Sequence, residues 1–245
     1  MQAHEPLDRG QLCASESRDF RKEEATIRIS WERLAAIAGV GFVILWFGAF
    51  GLGIEVGPSD REILDYYRDS GNRSKEAIAF FSIAGAALAF VVFAGALASL
   101  IRRAEKDTSI LAGIAWAGGT ACAALLLAGN AVSRATAFAA MDDELQLDPN
   151  TRRLFEDAGL LLLASGTIAA ILLVGAFSLA ALRNDLLPRW LAWAGFPAAA
   201  LLPLAVSFVG FLVLALWVIA VSVALALRGR SARQSHTGED AERSI

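Results

Sequence analysis

The sequence predicts an all-α polytopic membrane bundle of six transmembrane helices, with a short interfacial helix in the first outer loop. Three observations carry that expectation. Of the 245 residues, 56% are hydrophobic, above the ~45–50% apolar content usual in soluble domains. The charged residues fall in short blocks and leave five long runs without Asp, Glu, Lys, Arg or His. The connectors between those runs differ in kind, some short and basic, others long and acidic.

A hydrocarbon core of about 30 Å is crossed by about 20 residues of helix. The runs 34–54, 77–101, 110–133 and 158–182 each suit a single crossing. The fifth, residues 190–227, would be roughly 57 Å long as one helix, nearly twice the core. It is read as two spans, 190–207 and 209–227, with a small-residue turn at residues 207–210 and with Pro197 and Pro203 inside the first. Helices are expected rather than a barrel, because the runs are continuously apolar and a helix closes its own backbone hydrogen bonds. Buried helices of soluble proteins rarely run 25 residues without a charge.

Residues 1–30 are polar, with Arg9, Arg18, Arg21, Lys22 and Arg28, and are expected as a disordered tail. The apolar run that follows exceeds the ~7–15 residues of a signal-peptide core, so it is expected to be a retained first span. Residues 228–245, ending in "HTGEDAERSI", are likewise expected to be disordered. Cys13 in the tail and Cys122 in the third run make no disulfide framework. A net charge of −3 without a basic patch argues against nucleic acid as a partner.

Orientation follows from Lys and Arg in short connectors. "RRAEKDTS" holds Arg102, Arg103 and Lys106, "RNDLLPR" holds Arg183 and Arg189, and the C-terminal tail holds Arg228, Arg230, Arg233 and Arg243. With six crossings and an inside start, 14 basic residues lie inside and 7 outside, Arg33 marking the entrance of the first span. Both termini are therefore expected in the cytoplasm of a cell bounded by this plasma membrane. Trp190 and Trp193 fit interfacial anchors of the fifth span.

The outer connectors carry structure of their own. In "GPSDREILDYYRDSG", Ser59 and Glu62 have capping-box spacing, and Ile63, Leu64, Tyr66 and Tyr67 make one apolar patch before Gly71-Asn72 ends the segment. It reads as an interfacial helix or, alternatively, a ligand-binding lid. In the second outer connector, Asp148 and Pro149 mark a helix start. Arg152 with Glu156, and Arg153 with Asp157, are spaced i, i+4 as solvated pairs.

Candidate chemistry is sparse. His4 and His236 both lie in tails, so the spans offer no bis-histidine haem site and no histidine relay; no cofactor or metal is expected. Metalloprotease, P-loop and nucleophile-elbow motifs do not occur. Asn130, Ser133 and Arg134 share a helical stripe at the outer end of the third span, near Glu55 and Asp157. Singly these are ordinary interface residues; together they suggest a polar pocket in which Arg134 pairs with Glu55 or Asp157. Small pairs four apart (Gly85/Ala89, Gly95/Ser99, Gly113/Ala117, Gly166/Ala170) are expected to serve internal helix packing.

Three segments carry a resemblance: "LPRWLAWAG" opening the fifth span, "LWVIAVSVALALR" closing the sixth, and "ILDYYRDSGNRSKEAIAF" leading into the second. Over about residues 31–230 the chain resembles a family of multi-span membrane proteins common in actinobacteria, catalogued as a domain of unknown function. The resemblance implies a bacterial plasma-membrane protein and brings no active-site residues with it. Nineteen Arg against three Lys suits a GC-rich genome.

The leading expectation is a non-enzymatic membrane protein, a packing or regulatory partner within a larger assembly or homo-oligomer. A small permease for a neutral or apolar solute comes second, favoured by helix interruptions at Pro197 and Pro203. A membrane enzyme comes third, with Asn130, Thr120, Ser165 and Thr167 as the seeds of a site.

Overall fold

Lipid offers no water to backbone N–H and C=O groups, so each apolar run has to satisfy them within itself. The computed structural model describes residues 31–49, 51, 70–105, 109–139 and 149–242, and their secondary structure is helical. Helix α1 spans Trp31–Ala49. Helices α2 (Ser70–Ala104), α3 (Ile110–Ala139) and α4 (Pro149–Asn184) follow. Then come α5 (Arg189–Leu201), a 3-10 turn (Leu202–Ser207) that completes its span, and α6 (Val209–Glu242). Six of these segments are long and apolar enough to cross a membrane, so the chain is an all-α bundle of membrane-spanning helices.

The 38-residue run is two antiparallel segments reversing at Phe208. That residue takes a left-handed backbone with φ of 64°, a conformation that costs L-residues roughly 1–2 kcal/mol. Close approach at the turn falls to Gly210, where an added Cβ would lie 2.6 Å from the Ala205 nitrogen. Pro197 sits inside α5 without ending it; the α-helix gives way to the 3-10 turn at Leu202, with Pro203 in the turn's first residues. The connector before α5 is tight, and Asp185 there is, among the described residues, the other non-glycine residue with positive φ, 48°.

Two sequence expectations need adjustment. Gly71 and Asn72 do not end an outer helix; they lie in the first turn of α2, which starts at Ser70. A terminal glycine costs a helix only about 1 kcal/mol, and α2 is anchored by the long apolar face that follows. Residues 228–242, expected to be disordered, continue α6. Extending an existing helix needs no new nucleation, and Arg, Ala and Gln are good formers. The expected interfacial helix, the tail 1–30 and Glu55 lie outside the described residues.

Large apolar side chains point outward along the spans: Ile37 is 72% exposed, Phe81 69% and Leu216 65%. In water such a surface would be a liability; in lipid it is the solvated face. Inward, two kinds of packing divide the bundle. Along α3 and α4, the most extensive helix pair, glycines let the backbones approach closely. A Cβ at Gly129 would come within 2.7 Å of the Gly159 oxygen, and one at Gly118 within 2.8 Å of the Leu173 nitrogen. Elsewhere the interior is filled by rings in sequence. Phe177 on α4 meets Trp217 on α6 at 6.1 Å between centroids, and Trp217 meets Phe93 on α2 at 6.3 Å. Phe93 reaches Phe90, which meets Phe42 on α1 at 4.9 Å. Trp46 then stacks on Phe211 of α6 at 5.6 Å.

Candidate functional site

The polar residues of the bundle are placed by helix phase. On α2 the buried positions Ala79, Ile83, Ala86, Phe90, Phe93 and Leu97 alternate spacings of four and three, the stripe of a packed helix. One turn before Ala79 the same stripe reaches Glu76, which is 4% exposed. On α3 the stripe runs through Ala115, Gly119, Cys122 and Leu126 to Asn130 and then Arg134. The two stripes meet, and Glu76 and Arg134 form an ion pair with both side chains largely buried.

One turn deeper, Asn130 ties the same helices together. Its Nδ2 donates to the Phe80 carbonyl at 3.0 Å across 50 residues of chain. The residue is 1% exposed, and its Oδ1 is buried without a hydrogen-bond partner among the described residues. Phe80 also meets Phe138 of α3 edge-on at 5.3 Å. Ser133 Oγ donates to the Asn130 carbonyl at 3.1 Å, and its Cβ is where a side chain at Gly159 of α4 would collide. Thus α4 closes against the third side of this cluster.

At the start of α4, Pro149 is the first helical residue, its missing N–H being one the helix leaves unbonded in any case. Arg152 pairs with Glu156 one turn later, as the spacing predicts. The pair is not solvated as expected: Arg152 is 4% exposed, while the Glu156 side chain remains 43% exposed. Glu156 lies within the electrostatic reach of both Arg152 and Arg134. Arg153 Nη1 donates to Asn150 Oδ1 at 3.4 Å. The cluster thus holds Glu76 and Glu156 against Arg134 and Arg152, two charges of each sign.

Of the residues expected to form a pocket, the structure brings Asn130 and Arg134 together. Asp157 is on the adjoining helix but exposed, and the described ion pair of Arg134 is with Glu76 and not with Asp157; Glu55, the other expected partner, lies outside the described residues. The reason is phase: Asp157 sits about 100° around α4 from Glu156. Glu76 stands immediately before the apolar run 77–101, so the boundary of the run leaves it outside the span. Continuing the 79–83–86–90 stripe backwards by one turn finds it. Thr120, Ser165 and Thr167 do not converge with Asn130. Each hydroxyl donates to a carbonyl four residues earlier in its own helix, at 2.9, 2.8 and 3.2 Å, a bond that satisfies a hydroxyl in an apolar setting.

Chemically this arrangement is a clamp. A buried pair of opposite charges is costly to desolvate and strongly destabilising to break, so it fixes the relative register of α2 and α3, while Gly129, Ser133 and Gly159 fix α3 on α4. Compared with known proteins, the chain matches no family model, no curated protein and no solved structure, and a functional reading rests on these residues themselves.

Proposed function

We propose that this chain is a multi-pass protein of a bacterial plasma membrane, with both tails in the cytoplasm, serving as a packing or regulatory partner in a membrane assembly and not as an enzyme. The observation that carries the reading is the filled interior. Phe42, Phe90, Phe93, Phe177 and Trp217 occupy the middle of the bundle, four of them at 2% exposure or less, where a permease would place a polar path. The charged residues that are buried neutralise one another at one end and hold helices in register. The orientation is supported by the 14 to 7 division of basic residues. The bacterial source is supported by the family resemblance and the Arg-rich composition.

Two experiments test this. A cytoplasm-only and an exterior-only reporter fused after Asp107, Asp148 and Arg230 should read inside, outside and inside; an exterior signal after Arg230 overturns the orientation. Mild detergent extracts of native membranes should hold the chain in a species larger than a monomer. A monomer that conducts a neutral solute across reconstituted vesicles would overturn the partner reading in favour of a permease.

A further inference from the structure

At the arginine-rich end of the bundle a groove of about 660 Å³ opens sideways between the α4–α5 connector and α6. Its volume falls within the ~300–1,000 Å³ of small-molecule sites. The floor is apolar: Leu187 and Leu191 are buried, and Ala220 and Ala224, one turn apart on α6, leave the space that larger residues would fill. Trp190, 69% exposed, and Leu227 form its rims. From Ala220 to Arg228 the groove follows α6 for eight residues, about 12 Å, close to the roughly 15 Å of one leaflet's hydrocarbon.

Polar groups are confined to the mouth. Arg228 Nη1 donates to the Leu186 carbonyl, which seats the guanidinium there, and that group carries five N–H donors in all. Asp185 also lines the mouth, with its carboxylate 3.7 Å from Arg189 Nε. A smaller cleft beside the groove brings Arg103 and Glu32 up to the same Arg228. The mouth of the groove itself thus holds Arg228 and Asp185, the latter beside Arg189, while Arg103 and Glu32 belong to the adjoining cleft.

We propose that the groove holds an acyl chain of an anionic phospholipid, with the lipid phosphate at Arg228. A slot one leaflet deep, apolar along its length, with its one lining cation, Arg228, at the mouth and the Asp185 carboxylate there beside Arg189, is complementary to an amphiphile standing in the bilayer. Arginine matches phosphate oxygens through paired N–H donors, and the exposed indole of Trp190 lies at the depth where headgroups meet hydrocarbon. The inference rests on the chain spanning a bilayer and is independent of which side that end faces and of the partner reading above.

The test uses delipidated protein in mild detergent, titrated with dioleoylphosphatidylglycerol, dioleoylphosphatidylcholine or glycerol phosphate and read by native mass spectrometry. One phosphatidylglycerol per chain should be retained, roughly fivefold more tightly than phosphatidylcholine, and glycerol phosphate should not be retained. Arg228→Gln should bring the two lipids level, and Arg228→Lys should keep most of the preference. Ala224→Phe should reduce both lipids by filling the groove, as should Val223→Phe, which alters a half-exposed position and so keeps the test open if the first variant folds poorly. Ile168→Phe, on α4, should change neither. Equal retention of the two lipids, untouched by Arg228→Gln, overturns the proposal. So does glycerol phosphate binding as well as the lipid, or a dimer that excludes lipid, which would make a second copy the occupant.

Discussion

At Gly129 and Gly159 the backbones of α3 and α4 approach so closely that a single added carbon would fall 2.7 Å from a carbonyl oxygen, whereas α1, α2 and α6 are held together through the rings of Phe42, Phe90, Phe93 and Trp217. Both surfaces answer the same difficulty. Lipid tails are as apolar as leucine, so helices gain little by merely hiding apolar area from them and must gain contact instead. The α3–α4 seam gains it by proximity of backbone to backbone, the ring surface by filled volume. The first should tolerate no added atoms, the second no removed ones.

The largest effect is expected where the two surfaces are pinned together. Glu76→Ala leaves Arg134 buried beside a lost carboxylate, and breaking such a pair from one side costs about 3–5 kcal/mol. The loss should appear in the unfolding free energy of the detergent-solubilised protein under dodecyl sulfate titration. Removing both charges, Glu76→Ala with Arg134→Ala, should cost less than the sum of the two single changes. Additivity of the two would mean that the pair contributes nothing to holding α2 on the seam.

Next comes the seam itself. Gly159→Ala puts a methyl group against the Ser133 nitrogen and Gly129 oxygen, each 2.7 Å from the added carbon. Neither is the end of a flexible side chain, so the helices have to separate. Overpacking of this sort costs about 1–3 kcal/mol, with the upper part of that range expected here. Cysteine cross-linking between α3 and α4 should slow in parallel. An alanine variant as stable as the parent would show that the seam is looser than its geometry implies.

The ring surface is expected to respond to truncation by a smaller amount. In soluble proteins Phe→Ala costs ~3–5 kcal/mol, a figure that includes transfer of the ring out of water. When the unfolded reference is itself dissolved in lipid that transfer term disappears, leaving the cavity term of about 2 kcal/mol. Phe93→Ala, at a fully buried position, should therefore lose about half of what a water-soluble core would lose. A loss as large as the soluble figure would mean that the comparison between the two surfaces has the wrong solvent in it.

How much of this could be read from the chain follows from what periodicity and charge encode. Uncharged runs of membrane length are visible as strings, so the six spans were legible, including the reversal within residues 190–227. Their contacts were less so. Small pairs four apart pointed to Gly166, which does abut Cys122 on α3; the close contacts of Gly118, Gly129 and Gly159 are likewise with the facing helix, and spacing along one helix does not reveal which glycines face it. Asn130 and Arg134 were legible as a stripe because both lie on one helix. Their partner Glu76 was hidden because pairing across helices depends on relative rotation, which no single run records. Arg152 shows the same limit in reverse: its i, i+4 partner was legible, but its burial depends on what packs over α4.

Gly113 offers the sharpest control, because nothing lies opposite it whereas Gly159 faces a neighbouring backbone. Both sit in apolar spans, and small-pair spacing would favour Gly113, which precedes Ala117 by four positions, over Gly159, which precedes Leu163. In the structure a Cβ at Gly113 meets nothing within 4 Å. Gly113→Ala should then change stability by no more than about 1 kcal/mol, any shift being in the stabilising direction because alanine is the better helix former. Measured beside Gly159→Ala in the same titration, it separates two explanations. Were glycine required in these spans for backbone flexibility, both substitutions would destabilise alike; if the requirement is close approach, only the residue facing a neighbouring backbone should matter.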